Sequence, residues 1–91
     1  MQTDSLEGSI RTFILERFPL ARQRNVSNQE SLLENGILDS LGILEVVTFV
    51  EGEFQITVDD EELQPDNFSS IASMSAYVVR KRMADLADKQ G

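Results

Sequence analysis

The chain has 91 residues, a formal net charge of −8, and neither cysteine nor histidine. A chain of this length forms one domain, here residues 1–91 with an ordered core over about 4–86, and it has few apolar side chains to spare for an internal active site. Without cysteine there is no disulfide or thiolate nucleophile, and without histidine the usual general base and the commonest metal ligand are missing, so we expect neither an enzyme nor a metal site.

The first predicted helix spans about Asp4 to Phe18. Its apolar residues recur three or four positions apart, which places them on one stripe facing the core. These residues are Leu6, Ile10, Phe13, Ile14 and Phe18. Pro19 ends the helix, because the residue before a proline is pushed out of helical geometry.

The segment from Leu20 to Asp39 is predicted to be a long connection, which is unusual in a small domain unless it is functional or held against the core. Asn35-Gly36 favours a turn, since both residues tolerate positive φ, and Ser31 to Asn35 can form one helical turn. Five apolar residues can hold the segment in place: Val26, Leu32, Leu33, Ile37 and Leu38. We therefore expect a long but ordered first loop.

A second amphipathic helix is predicted to begin at Ser40, with Asp39 as its N-cap. The residues that face the core are Ile43, Val46, Val47, Val50 and Phe54. Leu41 and Leu44 form a second apolar side next to Ser40, which a short helix does not need for packing alone. They indicate a docking surface, although coverage by the preceding loop would also explain Leu41 and, less readily, Leu44.

The remaining residues predict an extended connector at Ile56 to Val58 and a single helical turn at Pro65 to Phe68, with proline at its first position. The last helix starts near Ser69 or Ser70. Its inward residues are Ile71, Met74, Tyr77 and Val78. The predicted fold is all-α: a small four-helix bundle of three main helices and one short helix, with a long first loop.

The hexapeptide Gly36-Ile37-Leu38-Asp39-Ser40-Leu41 and the helix after it resemble the acyl carrier protein family, and the resemblance covers roughly Leu6 to Met83. Members of the family carry 4'-phosphopantetheine on the serine of an Asp-Ser-Leu motif and hold acyl groups as thioesters at its tip. The resemblance implies that a phosphopantetheinyl transferase attaches this cofactor to Ser40. It also implies that Asp39 assists the transferase, with metal supplied at the interface, and that Leu41 borders the site.

Two other interpretations of Ser40 are open from the residues alone. As a catalytic nucleophile it would need a base, and only Lys81 and Lys89, on the final helix or its tail, could replace the missing histidine. As an ordinary helix-start residue it needs no further explanation. The hexapeptide, the two-sided helix and the acidic surroundings favour a modification site over both.

The acidic charge is concentrated around Ser40. No lysine or arginine lies between Asn25 and Val79, where eleven acids occur. Such a region repels nucleic acid and anionic membranes and attracts basic protein surfaces, unless it serves solubility alone. The acidic run at 59–62 lacks the glycine and the ligand spacing of a calcium loop. By resemblance, the partner surface consists of Leu41, Leu44, Glu45, Thr48, Glu51, Val58, Asp60 and Glu61.

The expected partners are the transferase, an acyl- or aminoacyl-loading ligase and downstream synthases. Gly42, Thr48 and Phe49 depart from the pattern of carriers of primary fatty acid synthesis, which favours a dedicated acyl or polyketide pathway. The predicted function is a free-standing acyl carrier protein; an aminoacyl or peptidyl carrier and an unmodified acidic adaptor are the alternatives. We also expect a monomer, and the lack of a secretion signal and of a membrane-length apolar run predicts a cytoplasmic location.

Overall fold

A computed structural model of the chain describes the backbone of residues 2–90 and the side chains of residues 6–84. Within that range the fold is all-helical, as predicted. The α-helices, numbered in chain order, are α1 (Gln2–Arg17), α2 (Pro19–Arg24), α3 (Ser40–Phe54), α4 (Pro65–Phe68) and α5 (Ile71–Gln90). The three main helices are α1, α3 and α5; α4 is the predicted short helix, and α2 is an additional one.

Pro19 begins a helix as well as ending one. Phe18 is extended, with φ −121° and ψ 95°, because it precedes a proline. Pro19 then occupies the first position of α2, where its missing N–H costs nothing. The short helix buries Ala21 and ends at Arg24, and the residue that caps it, Asn25, has a left-handed φ of 50°. The prediction of a connection throughout Leu20 to Asp39 is therefore wrong over residues 20–24.

The long loop between α2 and α3 is held by hydrogen bonds from two helical regions. The Arg11 guanidinium on α1 donates to the Val26 carbonyl over 2.7 Å and to the Asn28 side chain over 2.9 Å. The Leu32 amide donates to the Ser69 carbonyl, just before α5, over 2.6 Å. The buried apolar residues of the loop are Val26, Leu32, Ile37 and Leu38. The loop is ordered despite its length, as predicted.

Single turns occur on both sides of α3. The helical turn predicted at Ser31–Asn35 is present, since the Asn35 amide donates to the Ser31 carbonyl over 3.2 Å. After α3, which is capped by the left-handed Gln55, residues 56–59 form neither helix nor strand, and the chain then forms a 3₁₀ turn at Asp60–Glu62 that is absent from the predicted elements.

The core lies between α1, α3, α5 and the long loop. Residues with no exposed surface include Ile10, Ile14, Leu32, Val46, Val50, Phe68, Ile71, Met74 and Val78. All four inward residues predicted for the last helix are buried, and Ser70 caps that helix by accepting a hydrogen bond from the Ser73 amide over 3.0 Å. Phe13 and Phe18 of the predicted α1 stripe are only half-buried. In the part of the chain that the structure describes, no helix is long and apolar enough to cross a membrane.

Candidate modification site

Ser40 is the exposed first residue of α3. Asp39 precedes it in an extended conformation and caps the helix, since its Oδ1 accepts a hydrogen bond from the Gly42 amide over 2.8 Å. The cap fixes the direction of the backbone at Ser40 and leaves the residue accessible to another protein. The predicted N-cap and helix start are confirmed.

The turn before the cap brings the chain back to the core. Gly36 has a φ of 82°, a conformation that glycine adopts without steric cost. The Asn35 side chain accepts a hydrogen bond from the Ile37 amide over 3.1 Å, and the Leu38 amide donates to the Leu32 carbonyl over 2.9 Å. Two buried residues, Ile37 and Leu38, thus anchor the backbone immediately before the helix.

Gly42 is buried where the long loop and the α1–α2 junction meet α3. A Cβ atom at this position would lie 2.9 Å from Leu38 Cδ2 and 3.2 Å from Phe18 Cε1, closer than ordinary van der Waals contact. The glycine therefore lets both side chains pack directly against the first turn of α3. This packing gives a structural reason for the sequence departure at Gly42.

The N-terminus of α3 offers hydrogen-bond donors to an anion. Among the described residues, the amides of Ser40 and Leu41 have no acceptor within the protein. The first turn of the helix contains no acid, and the helix dipole is positive at this end. A phosphate on the Ser40 oxygen would meet both of these features. The residues present therefore fit a phosphopantetheine group.

Leu41 and Leu44 are exposed beside Ser40. The exposed fraction is 71% for Leu41 and 51% for Leu44. The preceding loop leaves them open, so the interpretation that it covers them is wrong. An apolar surface next to the hydroxyl is available to a partner.

The polar residues of α3 make internal contacts that the sequence did not predict. Glu45 forms an ion pair with Arg17 at the end of α1. Glu51 accepts a hydrogen bond from the Val58 amide over 2.8 Å, which ties the connector to the helix. Thr48 is exposed, and its hydroxyl donates to a backbone carbonyl of its own helix over 3.0 Å. The two carboxylates are thus only partly free for a basic partner.

The sequence of this chain matches a known protein family and is similar to two known proteins. A family model described as "Phosphopantetheine attachment site" matches residues 9–78. The chain belongs to the acyl carrier protein family. The probable acyl carrier protein PigG of Serratia sp. (strain ATCC 39006) is 31% identical over 75 residues, which are 82% of this chain and 86% of that protein. An acyl carrier protein of Buchnera aphidicola subsp. Baizongia pistaciae (strain Bp) is 33% identical over 70 residues, 77% of this chain and 86% of that protein.

Membership of the acyl carrier protein family establishes the cofactor and the class of function. Domains of this family carry 4'-phosphopantetheine on a serine and interact with phosphopantetheinyl transferases and synthases. Within the described residues, no group of three or more potential ligands is arranged to hold a metal ion.

A polar network holds the connector of this carrier protein to α5. Lys81 Nζ donates to Glu62 over 2.8 Å and to Asp59 over 3.3 Å, and the Tyr77 hydroxyl donates to Glu62 over 2.9 Å. Burial raises the pKa of the Glu62 carboxyl, but the hydrogen bonds from Lys81, the Asp59 amide and Tyr77 outweigh it and hold that pKa below 4.5. The bond to Glu62 in turn raises the pKa of Lys81. Lys81 is therefore a paired cation and no base for Ser40.

The network fixes the position of the remaining predicted partner residues. Asp60 and Glu61 are exposed on the 3₁₀ turn, and Val58 is half-buried before it. The sequence contains one signal for this arrangement, the capping-box spacing of Asp59 and Glu62, which the structure forms. Arg17 carries no such signal, because only the packing of α1 against α3 brings it to the acidic surface.

Proposed function

We propose that the protein is a free-standing acyl carrier protein of a dedicated acyl or polyketide pathway, with Ser40 as the attachment residue. The observation that carries the proposal is the exposed position of Ser40 at the capped start of α3, inside the matched region. When bound, the phosphopantetheine arm supplies the thiol on which acyl groups are held as thioesters, and this chain has no cysteine of its own.

The residues around Ser40 position its hydroxyl to receive the phosphopantetheinyl group. The Ser40 oxygen forms the new bond to phosphorus, the nucleotide part of coenzyme A leaves, and the hydroxyl proton passes to a base on the transferase. Asp39 holds the first turn through its bond to the Gly42 amide. Its second carboxylate oxygen is available to the metal and the transferase. The two unpaired amides and the helix dipole stabilise the phosphate that remains on the protein.

Docking combines apolar contact with electrostatic attraction. Leu41 and Leu44 supply the apolar part beside Ser40. Glu45, Asp60 and Glu61 supply negative charge, which sets encounter rate and partner choice more than raw affinity. Short-lived docking of this kind suits a protein that visits a transferase, a loading ligase and several synthases in turn. The partners and the residues they contact are part of this proposal, as are a monomeric state and a cytoplasmic location.

A carrier role, with no catalysis by the chain itself, agrees with the surroundings of Ser40. Lys81 lies on α5, not on α3, and its ammonium group is paired with Glu62 and Asp59. Lys89 lies outside the residues whose side chains the structure describes. Neither lysine is thus placed as a base for a serine nucleophile, which requires one beside it.

Intact-mass measurement tests the attachment residue. The folded protein is incubated with coenzyme A and a promiscuous phosphopantetheinyl transferase, and we expect its mass to rise by one phosphopantetheinyl group. Ser40→Ala should show no gain, whereas Ser27→Ala, which changes an exposed serine in the loop, should gain as the wild type does. An unchanged mass for the folded wild type would favour the acidic adaptor.

The cargo is tested on the modified protein. It is offered to fatty-acyl-activating and amino-acid-activating ligases, and the masses of the products are compared. Loading with acyl groups supports the proposal. Loading with amino acids alone would replace it with an aminoacyl carrier.

A further inference from the structure

Asn35 is held at both ends of its side-chain amide in the turn that precedes Ser40. Its Nδ2 donates to Glu30 Oε2 over 2.7 Å, and its Oδ1 accepts from the Ile37 amide over 3.1 Å. The other oxygen of Glu30 accepts from the Ser27 amide over 3.3 Å. The carboxylate and the carboxamide therefore tie the middle of the long loop to the segment that enters α3.

The residue after this asparagine is a glycine, and asparagine followed by glycine is the pair that deamidates most readily. In this reaction a backbone nitrogen attacks the side-chain carbonyl carbon of the asparagine before it, and a glycine hinders that approach least. Gly36 is exposed, and a Cβ atom there would meet nothing within 4 Å, so this side of the peptide is open to water. The asparagines at positions 25, 28 and 67 instead precede Val26, Gln29 and Phe68.

The hydrogen bonds of the turn favour attack on the Asn35 side chain. The Ile37 N–H on Asn35 Oδ1 stabilises the negative charge that develops on this oxygen as the carbonyl carbon is attacked. The Gly36 N–H, which must give up its proton, donates to the Leu33 carbonyl over 3.3 Å, longer than most such bonds. The attacked carbon is thus polarised, and the attacking nitrogen is only weakly restrained.

Deamidation at this site consumes water and releases ammonia. The Gly36 nitrogen forms a bond to Cγ of Asn35, the bond from Cγ to Nδ2 breaks, and the displaced nitrogen leaves as ammonia with the proton of the Gly36 amide. The product is a cyclic imide. Water then opens the ring at either carbonyl and leaves an aspartate or an isoaspartate at position 35. The reaction needs no oxidant, reductant or enzyme.

The product does not hold the turn closed. An oxygen takes the place of Nδ2, so the donor that lies 2.7 Å from Glu30 becomes an acceptor that carries negative charge. The Arg24 guanidinium donates to the Asn35 backbone carbonyl over 3.4 Å, but it is exposed and offsets little of this repulsion. An isoaspartate also lengthens the backbone between Leu32 and Leu38, which the loop joins by a hydrogen bond of 2.9 Å.

We propose that Asn35 is a deamidation site, and that its deamidation slows arm attachment by opening the turn that presents Ser40. The effect on attachment rests on the proposed function, whereas the deamidation and the opening of the turn do not. The modified chain stays folded, because Asn35 is half-buried in the loop and the core lies between the helices.

Ageing of the folded protein at mildly alkaline pH tests the site, since base removes the proton of the Gly36 amide. Cleavage after glutamate releases residues 35–45, in which Asn35 is the sole carboxamide and which also contain Ser40. We expect this peptide to gain the small mass of an amide converted to an acid. A partly aged sample is then treated briefly with coenzyme A and the transferase. The unchanged peptide should carry the arm about 10-fold more often than the deamidated one, the equivalent of one hydrogen bond to a charged group.

Two variants test whether repulsion from Glu30 opens the turn. Asn35→Asp should slow arm attachment by about 10-fold. It should also speed hydrogen exchange at the Ile37 and Leu38 amides, which report opening of the turn. Glu30→Gln combined with Asn35→Asp keeps the wild-type net charge and again places a donor opposite an acceptor, so both properties should return toward wild type. Gln23→Glu, which adds the same charge at an exposed site on α2, should behave as the wild type.

Each opposite result overturns the inference. A peptide 35–45 of unchanged mass after ageing would show that the turn protects Asn35. Equal arm attachment to the deamidated and unchanged peptides would show that the modified turn still presents Ser40. A double variant as slow as Asn35→Asp would exclude repulsion from Glu30 as the cause. If the folded wild type takes up no arm, the proposed function fails, and the peptide mass and the hydrogen exchange still support or overturn deamidation and opening of the turn.

Discussion

Arg17 at the end of α1 forms an ion pair with Glu45 on α3, five residues after Ser40. The exposed fractions of the two side chains are 56% and 38%. The pair therefore neutralises part of the acidic surface next to the modification site while it stays accessible. A basic partner must either displace Arg17 or bring an acid of its own to meet it.

Arg17→Gln should speed attachment of the arm. The change frees Glu45 to attract a basic partner, and an exposed pair of this kind is worth about 0.2–1 kcal/mol, which corresponds to a rise in kcat/KM of about 1.5- to 5-fold at low salt. The gain should fade toward 1 M salt, where charges more than about 3 Å apart are screened. Arg22→Gln alters net charge equally at an exposed site on α2 and serves as the control. Equal rates for the two variants would contradict a local role for the ion pair.

Leu44→Asp should weaken docking without weakening the fold. Burying a leucine against a partner contributes about 1.5–3 kcal/mol, so we expect kcat/KM for the transferase to fall by about 10- to 150-fold. Leu20 on α2 is equally exposed, at 53% against 51% for Leu44, so Leu20→Asp is a matched control. The thermal midpoints of both variants should stay close to that of the wild type, because surface changes cost little. Comparable losses of rate in both would indicate non-specific charge repulsion.

The sequence predicts the start of α3 well because the relevant interactions are local. The interactions that define this helix start lie within a few residues of Ser40: the Asp39 cap, its hydrogen bond from the Gly42 amide, and the periodic apolar residues that follow. Short-range sequence rules identify such helix ends. Local sequence rules alone do not predict that Leu41 and Leu44 are exposed. Their exposure depends on where the long loop packs, which is set by contacts such as that of Arg11 with Val26, fifteen residues apart.

The missed features are long-range or fall below the length that periodicity detects. The six residues of α2 are too few for a recognisable apolar stripe, and Pro19 signals a helix end as readily as a helix start. The Glu51–Val58 bond forms only because the connector turns back along α3. Glu51 therefore supports the connector, and Glu51→Lys would disturb it as well as the surface charge. Leu44 and Glu45 are better probes of docking.

Asp39 has two roles that two substitutions separate. Asp39→Ala removes the cap and should cost about 1 kcal/mol of unfolding free energy, or about 4–8 °C in Tm for a domain of this size. Asp39→Asn keeps an acceptor for the Gly42 amide and should leave Tm nearly unchanged. If the carboxylate assists the transferase, Asp39→Asn should still slow attachment strongly. A normal rate of attachment in Asp39→Asn would mean that Asp39 serves only as a helix cap. Thermal unfolding measures the capping role, and the mass assay measures the role in attachment.

Gly42→Ala and Gly52→Ala should change stability in opposite directions. Both glycines lie within α3, where alanine gains about 0.5–1 kcal/mol from helix propensity. A Cβ at Gly52 meets nothing within 4 Å, so that variant should be the more stable. At Gly42 the added carbon lies 2.9 Å from Leu38, and overpacking of about 1–3 kcal/mol should outweigh the gain. Urea unfolding measures both, and a stabilised Gly42→Ala would show that the loop yields without cost.

Glu62→Gln should destabilise the protein near neutral pH and lose its effect in acid. The pKa of the Glu62 carboxyl is lower in the folded protein than its usual 4.5. The contribution of the ionised Glu62 carboxylate to the free energy of unfolding is therefore fully present above the pKa that this group has in the unfolded chain. It is lost as the pH falls through the lower pKa of the folded protein. Glutamine can still accept hydrogen bonds from Lys81 and Tyr77 but without charge, so we expect a loss of about 1 kcal/mol above about pH 5.

The pH dependence separates this charge effect from a loss of packing. Urea unfolding of wild type and Glu62→Gln from about pH 7 down to about pH 3 should give curves that converge below the folded pKa. Glu61→Gln, a change at the exposed neighbour on the same 3₁₀ turn, should follow the wild type throughout. A difference that stays constant down to the lowest pH would assign the effect of Glu62→Gln to packing. The network would then hold the connector by shape, and the charge of Lys81 would be dispensable for placing Asp60 and Glu61.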